Sequence, residues 1–457
     1  MIEFNKKLGL GLAAVTVLAL SVAPGLAQEA AAPAAAAADP KTEVTAANVE
    51  YVFNTLLFLM SGFLVMWMAA GFAMLEAGLV RSKNVAMQCT KNIALYSIAG
   101  LMFWLVGYNL MYPGDDGWIV ADTIGKFLPV TMPEPASDTA NSYATGSDWF
   151  FQMVFCATTA SIVSGTLAER IKLWPFLIFV VVLTGIIYPI QGSWEWGAGW
   201  LDDMGFSDFA GSTLVHSTGG WAALAGALLL GARAGKYGPN GAIHPMPGSS
   251  MPLATLGTFI LWLGWFGFNG GSQLALGSLE NASAVAKIFV NTNMAAAAGV
   301  IVAMVLTQVI YGKVDLTMAL NGALAGLVSI TAEPLAPAIW QAVVIGSVGG
   351  VIVVFTVPLL DKLRIDDVVG AIPVHLIAGI WGTLIVAWTN AEANVVVQAT
   401  GVVAIGAFVF VSSFVLWAFL KFTIGLRPTL EEEIDGLDKA EIGIEAYPEF
   451  GSGSQRI

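Results

Sequence analysis

Two histidines occupy the same position in two copies of one nine-residue pattern. The copies run from Asp208 to His216 and from Asp367 to His375, and both read Asp-x-x-Gly-x-x-x-Val-His with a further glycine four residues later. The flanking sequence is almost uniformly apolar, so we expect both imidazoles inside a membrane, where an ionisable side chain is costly and often functional. The repeated spacing makes this pair the first candidate for a site.

A buried histidine pair can hold a metal, bond only to itself, or line a narrow conduit. Zinc sites usually have three or four protein ligands, but the only other histidine, His244, lies in a predicted loop, and we expect no cysteine or carboxylate at the depth of the pair. A neutral imidazole offers one donor and one acceptor. The sequence therefore favours a conduit for a small solute that is uncharged in transit. A metal site and a histidine pair that bonds only to itself remain open alternatives. No cofactor is predicted.

Composition places the chain in a membrane. Its 457 residues are 57% hydrophobic and 11% charged, with a mean hydropathy of +0.76, which is typical of an all-α polytopic membrane protein. The formal net charge of -13 arises largely in short loops and in the C-terminal tail, so it does not indicate a nucleic-acid partner. No nucleophile or carboxylate pair is predicted beside the histidines, so we do not expect an enzyme.

The N-terminus resembles a secretory signal. Lys6 and Lys7 precede an apolar run, and small residues around Ala27 form a cleavage site. We therefore predict a signal peptide at 1–27 and a disordered Ala- and Pro-rich leader at 28–48; the alternative is an uncleaved first helix.

A membrane span needs about 20 apolar residues, and eleven segments qualify within a transporter domain at 49–424. They lie at about 51–80, 87–112, 149–168, 173–191, 212–232, 251–270, 283–309, 316–332, 336–358, 369–388 and 397–424. A tail at 425–457 follows.

Positive residues concentrate in alternate loops, which sets the orientation. They follow spans 1, 3, 5, 7, 9 and 11, as Arg81, Lys83, Arg170, Lys172, Arg233, Lys236, Lys313, Lys362, Arg364, Lys421 and Arg427. Because positive residues collect on the cytoplasmic side, we predict the N-terminus outside and the C-terminus in the cytoplasm.

The orientation gives the repeated pattern a geometry. Asp208 precedes span 5 at the outer face, whereas Asp367 precedes span 10 at the inner face, so the copies enter the membrane from opposite sides. Eight helical residues carry each histidine about 12 Å inward, towards the middle of a core about 30 Å thick. Residues 51–232 and 251–388 therefore form a five-plus-five inverted repeat, and such repeats place substrate sites at mid-membrane.

Other side chains flank this predicted site. Each aspartate suits the N-cap of its helix, and capping alone is an alternative to any role in the site. Trp194, Trp196 and Trp200 fall in the outer loop before span 5. An indole face attracts a cation, although interfacial aromatic belts are the alternative explanation.

These motifs resemble the Amt branch of the Amt/Mep/Rh ammonium transporters over about residues 50 to 450. The matching segments are Met74 to Asn84, Ala168 to Ile171, Asp208 to His216 with the series ending at Arg233, Gly264 to Asn269, and Asp366 to His375.

The resemblance implies roles for individual residues. His216 and His375 match the twin histidines of the pore, and Phe155 and Phe268 match its phenylalanine gate. Trp196, Ser272 and Phe155 match the ammonium-recruitment site, and Asp208 matches the acidic residue beneath it. The implied activity is ammonium recruitment outside and passage of ammonia, with or without separate proton transfer.

The resemblance also implies partners. It predicts a homotrimer in the inner cell membrane of a prokaryote, with Gly436, Gly443 and Tyr447 in a tail through which a P-II signal protein acts; a solvated tail is the alternative. A sensor of ammonium on the same scaffold, acting through a cytoplasmic partner, is the second functional hypothesis.

Overall fold

The computed structural model describes residues 45–113, 129–138 and 142–449. The predicted signal peptide and residues 28–44 of the predicted leader lie outside these ranges. Within them, the regular elements are helices, with one isolated β-bridge between Tyr237 and Ile243. The predicted all-α class is confirmed.

Eleven long helices form the bundle. They are α1 (Ala46–Leu79), α2 (Ser82–Met111), α3 (Thr145–Thr166), α4 (Leu173–Gly192), α5 (Ser212–Leu230), α6 (Met251–Gly271), α7 (Leu279–Tyr311), α8 (Leu316–Thr331), α9 (Ile339–Lys362), α10 (Ile372–Thr389) and α11 (Val395–Thr423). Among the described residues, nine are long and apolar enough to cross a membrane, and α3 and the shorter α8 complete the set. Each predicted span corresponds to one helix, although α1 already includes residues 46–48, which the sequence assigns to the leader.

Polar caps start several of these helices at the positions where the chain turns back. The side chains of Ser250, Ser278, Asp315 and Asn394 each accept a backbone N–H from the first turn of the helix that follows. Such a cap satisfies a donor that would otherwise have no partner at the helix terminus. The helices between the caps are apolar on nearly every side, as expected for membrane spans.

Helices α5 and α10 run in opposite directions, as an inverted repeat requires. Arg233, which follows α5, bonds to Asp366, which precedes α10, at 2.9 Å. At the other end, Asn390, which follows α10, donates to Glu333 in the loop after α8 at 3.0 Å. The backbone N–H of Phe209, just before α5, donates to the Ala332 carbonyl of the same loop at 2.9 Å. We name the face with Arg233 and Asp366 the tail face and the face with Glu333 and Asn390 the far face.

The C-terminal tail packs on the tail face. It contains α12 (Leu430–Asp435) and a π-helical turn at Asp438–Ile442. Lys83 donates to the Glu433 carbonyl at 2.8 Å. The Asp438 carboxylate accepts the backbone N–H groups of Met87 at 2.8 Å and Ala86 at 3.0 Å, at the start of α2.

Small residues allow α7, α8 and α9 to pack with their backbones in near contact. A Cβ at Gly346 of α9 would overlap the carbonyl oxygen of Ala295 on α7, and one at Gly299 of α7 would overlap that of Gly322 on α8. Close backbone approach is how membrane helices associate where water provides no driving force.

We expect Gly346→Ala to destabilise the bundle by about 1–3 kcal/mol, because the added methyl group forces α7 and α9 apart. Gly100→Ala in α2 is the matched control, since its nearest neighbour would lie 3.8 Å from the new Cβ. Thermal unfolding of the purified protein in detergent checks both. Equal midpoints for the two variants would contradict this account of the packing.

Candidate functional site

The structure brings His216 and His375 together between the two repeats. Their Nδ1 atoms are 3.2 Å apart and their ring centroids 5.2 Å apart. His216 is 0% exposed and His375 is 3% exposed. One ring can donate and the other accept in this contact, which leaves one Nε2 atom on each ring for another partner.

Each histidine lies on a π-helical turn at the start of its helix, at Ser212–Ser217 in α5 and Ile372–Ile377 in α10. A π turn widens the helix and alters its backbone hydrogen bonds. Side chains of neighbouring helices bond to the carbonyls in the turn of α5. Gln191 donates to the Leu214 carbonyl at 2.8 Å, and Thr159 donates to that of Val215 at 3.3 Å.

The glycine that closes each copy of the pattern is where α5 and α10 cross. A Cβ at Gly220 would lie 2.7 Å from the backbone nitrogen of Leu376, and a Cβ at Gly379 would overlap the carbonyl oxygen of Ser212. Neither position has room for a larger residue. This close crossing is what permits the two imidazole rings to meet.

Aspartates orient the starts of both helices. Asp208 accepts backbone N–H groups from residues 211 to 214 at 2.7–3.1 Å, and Asp367 accepts that of Ile372 at 2.7 Å. Burial raises the pKa of Asp208 to about 6, although its four backbone donors oppose the rise. The four backbone donors favour the ionised carboxylate, which can accept all four hydrogen bonds.

Replacing Asp208 by alanine leaves those four buried N–H groups without the acceptor. We expect Asp208→Ala to lower the free energy of unfolding by at least about 1–3 kcal/mol, the usual cost of a single unsatisfied buried donor. Asp203→Ala, an exposed position in the same loop, is the control and should be near neutral. Chemical or thermal unfolding in detergent measures the difference, and equal stabilities would contradict the capping role.

Aromatic rings cover the histidines on the side towards the far face. Phe155 and Phe268 stack with centroids 3.9 Å apart, and Phe268 lies 5.2 Å from the His216 ring. The Trp265 ring also stacks on the His216 ring, with their centroids 4.9 Å apart. His216 is thus held among apolar rings, and its Nε2 has no hydrogen-bond partner among the described residues.

Trp196 and Ser272 lie beside this phenylalanine pair. The Trp196 ring is 6.0 Å from Phe155, and its indole N–H donates to the Asp208 carbonyl at 3.1 Å. Ser272 donates to the Phe268 carbonyl at 2.9 Å. Trp194 instead packs on Trp200, so Trp196 is the member of this loop that contacts Phe155.

A narrow cavity with about 10 Å³ of space, close to the minimum for one water-sized molecule, lies on the other side of the pair, towards the tail face. It is lined by Phe72, Leu75, Glu76, Ser161, Ile162, Gly165, Asn321, Leu324, Val369, Ala371, Val374 and His375. The carboxylate of Glu76 therefore lines the same cavity as His375, which was not predicted from the sequence. Glu76 lies in the last turn of α1, and its side chain points into the bundle, where it accepts hydrogen bonds from Gln88, Asn92 and Ser164.

Sequence reasoning missed Glu76 and its neighbour Lys91, both buried. Lys91 donates to the Ser164 carbonyl at 3.0 Å, and Ser164 donates from its hydroxyl to Glu76 at 2.9 Å. The signal was present, because each residue is an ionisable group within an apolar predicted span, and such groups are functional candidates.

An ion-pair network joins the helix ends at the tail face. Arg233 bonds to Asp366 at 2.9 Å and to Glu169 at 3.1 Å, and Arg81 pairs with Glu169 at 2.5 Å. Burial alone would raise the pKa of Asp366, but hydrogen bonds from Arg233 and the charges of Arg170 and Arg233 hold it well below its usual range. The carboxylate therefore stays ionised at physiological pH and keeps α5 and α10 connected.

The three tail residues singled out by the sequence all lie at or near this face. Gly436, with φ of 105°, packs against Lys83 with no room for a side chain. Gly443 has a left-handed φ of 72° and ends the π-helical turn of the tail. Tyr447 packs on a small apolar cluster that includes Val80 and Val85.

These features define a class of protein. It is a multi-pass helical membrane protein whose two inverted repeats enclose a buried histidine pair, and the described residues contain no group of three or more His, Cys, Asp or Glu side chains that could hold a metal ion. The chain belongs to the Ammonium Transporter Family, whose sequence model matches residues 56–447.

Individual relatives agree with this assignment. The chain is 42% identical over 449 residues to ammonium transporter Amt2 of Archaeoglobus fulgidus, covering 91% of this chain and 93% of the relative. It is 37% identical over 435 residues to ammonium transporter Amt1 of Haloferax mediterranei, covering 89% and 81%. The resemblance to the Amt branch is confirmed, and membership of a transport family agrees with the prediction that the chain is not an enzyme.

Solved structures share the fold. A sensor Amt protein aligns with a TM-score of 0.79 at 35% sequence identity, covering 86% of this chain and 99% of the other. Saccharomyces cerevisiae Mep2 aligns with a TM-score of 0.74 at 26% identity, covering 88% and 95%.

Proposed function

We propose that this protein is an ammonium transporter that recruits ammonium at the far face and conducts ammonia between His216 and His375. The observation that carries the proposal is the buried histidine contact, in which the Nε2 atom of His216 has no hydrogen-bond partner among the described residues and the His216 ring packs against Phe268. A buried polar atom without a partner is costly, and a small hydrogen-bonding solute in transit would provide one.

Recruitment would take place at Trp196, Phe155 and Ser272. Aromatic faces attract a cation that has lost part of its hydration shell. The Ser272 hydroxyl donates its proton to a backbone carbonyl, so its lone pairs remain available to accept from ammonium. Together these groups favour a small cation that can donate hydrogen bonds.

Passage would require the stacked pair Phe155 and Phe268 to tilt, since their rings close the path at 3.9 Å. Transfer of a bare charge into such an apolar segment is strongly unfavourable, which favours loss of a proton before the solute enters. Neutral ammonia could then accept from one imidazole and donate to the other. The proton either stays on the far side or crosses by a separate route.

The sidedness follows from the charges. Arg81, Arg170 and Arg233 meet in the ion-pair network of the tail face. Because positive residues favour the cytoplasmic side, we assign the tail face to the cytoplasm and the far face to the exterior, in the inner membrane of a prokaryotic cell.

Transport by the purified protein in vesicles tests this proposal. We expect His216→Ala to lower ammonium flux about tenfold or to admit other monovalent cations, since one lost hydrogen bond to the solute is worth about 1.4 kcal/mol in the barrier. His244→Ala, an exposed histidine bonded to the Gly235 carbonyl, is the matched control. Unchanged flux and selectivity in His216→Ala would refute the pore assignment.

A current recording in the same vesicles decides how the proton moves. A sustained inward current on adding ammonium to the far side would mean that charge crosses with ammonia. Flux without current would mean that the proton remains outside.

An ammonium sensor acting through a cytoplasmic partner is the second candidate, and it is favoured by the likeness to the sensor Amt protein. Uptake of methylammonium separates the two functions. A correctly folded and assembled wild-type protein that takes up none would be assigned to sensing.

Assembly and regulation form the last part of the proposal. We assign a homotrimer on family resemblance. The docked tail is the surface we assign to a P-II signal protein. Native mass spectrometry with and without that protein tests both assignments.

We expect Asp438→Ala to loosen the tail, because it removes the acceptor of two backbone N–H groups at the start of α2. Hydrogen exchange over residues 430–447 should quicken about five- to tenfold, in keeping with a loss of about 1 kcal/mol. Asp435→Ala, an exposed carboxylate of the same segment, should leave exchange unchanged. Equal protection in both variants would contradict the anchoring role of Asp438.

A further inference from the structure

The Glu76 carboxylate is bonded on one side only. Its Oε2 atom accepts from Gln88 at 2.7 Å, Asn92 at 2.8 Å and Ser164 at 2.9 Å. Its Oε1 atom is buried and has no hydrogen-bond partner among the described residues. Three donors fix the orientation of the carboxylate, so the free oxygen has a defined direction.

That free oxygen lies next to the pore cavity. Glu76 and His375 line the same narrow space, together with Ser161 and Asn321. Gly165 forms the wall beside the oxygen, where an added Cβ would lie 3.3 Å from Oε1. A solute that passes His375 towards the tail face therefore meets Oε1 within one small cavity.

Lys91 balances the charge of Glu76 without occupying Oε1. Its ammonium group donates to the Ser164 carbonyl at 3.0 Å and lies 4.9 Å over the Phe176 ring. The buried carboxylate thus has a nearby positive charge and still keeps one coordination position open.

We propose that Glu76 Oε1 and the cavity it shares with His375 form a second, inner binding site for ammonium, on the tail side of the histidine pair. The inference rests on the proposed function for the identity of the cation. The site takes a small monovalent cation that a carboxylate oxygen can coordinate, and it holds ammonium at the tail-side end of the conduit.

Thallium(I), a monovalent ion close to ammonium in size and a strong anomalous scatterer, is the probe. Crystals of the full-length protein soaked in a thallium(I) salt should show an anomalous peak at coordination distance from Glu76 Oε1, and competing ammonium should displace it. An empty cavity under thallium(I) concentrations that fill the site at Trp196 would overturn the proposal, as would a peak that ammonium does not displace.

Glu76→Gln is the decisive variant. Its amide oxygen can take the place of Oε2 and keep the three donors, so the amide NH2 faces the cavity and repels a cation. The inner peak should vanish and transport at low ammonium should fall several-fold, with thermal stability retained. A retained peak and unchanged transport would overturn the proposal.

Glu333→Gln is the matched control, because it makes the same change in a buried carboxylate that caps the loop after α8 at the far face. It should leave the inner peak in place. If the wild type transports ammonium but shows no ion at Glu76, this inference alone fails. If the inner site binds ammonium but the wild type transports none, the transport proposal fails and the inner site stands.

Discussion

The close crossing of α5 and α10 is the constraint on which the rest of the structure depends. Gly220 and Gly379 lie at the crossing, each against the backbone of the opposite helix. Only at this separation can two imidazoles carried by antiparallel helices come within hydrogen-bonding distance. The capping aspartates and the ion pair between Arg233 and Asp366 then fix where each helix begins and how the two ends align. Without the two glycines, the caps and ion pairs would position two histidines that could not meet.

Much of this arrangement could be predicted from the sequence, because it is encoded in local patterns. Hydropathy gave the eleven helices, and the alternation of positive loops required the two copies of the pattern to enter from opposite sides. Equal offsets of His216 from Asp208 and of His375 from Asp367 then placed the rings at one depth. Gly220 and Gly379 also share one offset from their histidines, but only the structure shows that the two helices cross at these glycines.

Other features could not be read from the sequence for physical reasons. Glu76 and Lys91 are visible in the sequence as ionisable residues within apolar spans, but which way a buried side chain points depends on helix rotation, which hydropathy does not report. The π-helical turn of α5 accepts hydrogen bonds from side chains of α3 and α4, and such tertiary contacts are not visible in local sequence. The tail docks through backbone groups of α2, such as the N–H groups that Asp438 accepts, and backbone groups carry no sequence signal.

The contacts that join the two repeats have a kinetic consequence. The crossing at Gly220 and Gly379 and the ion pair between Arg233 and Asp366 connect α5 of the first repeat to α10 of the second, so one repeat cannot rock against the other without separating them. On the proposed function, the protein has no large rearrangement to complete in each turnover. The temperature dependence of flux would then reflect dehydration of the solute and the tilting of two phenyl rings, as in a pore with a small gate rather than a carrier that alternates between two shapes.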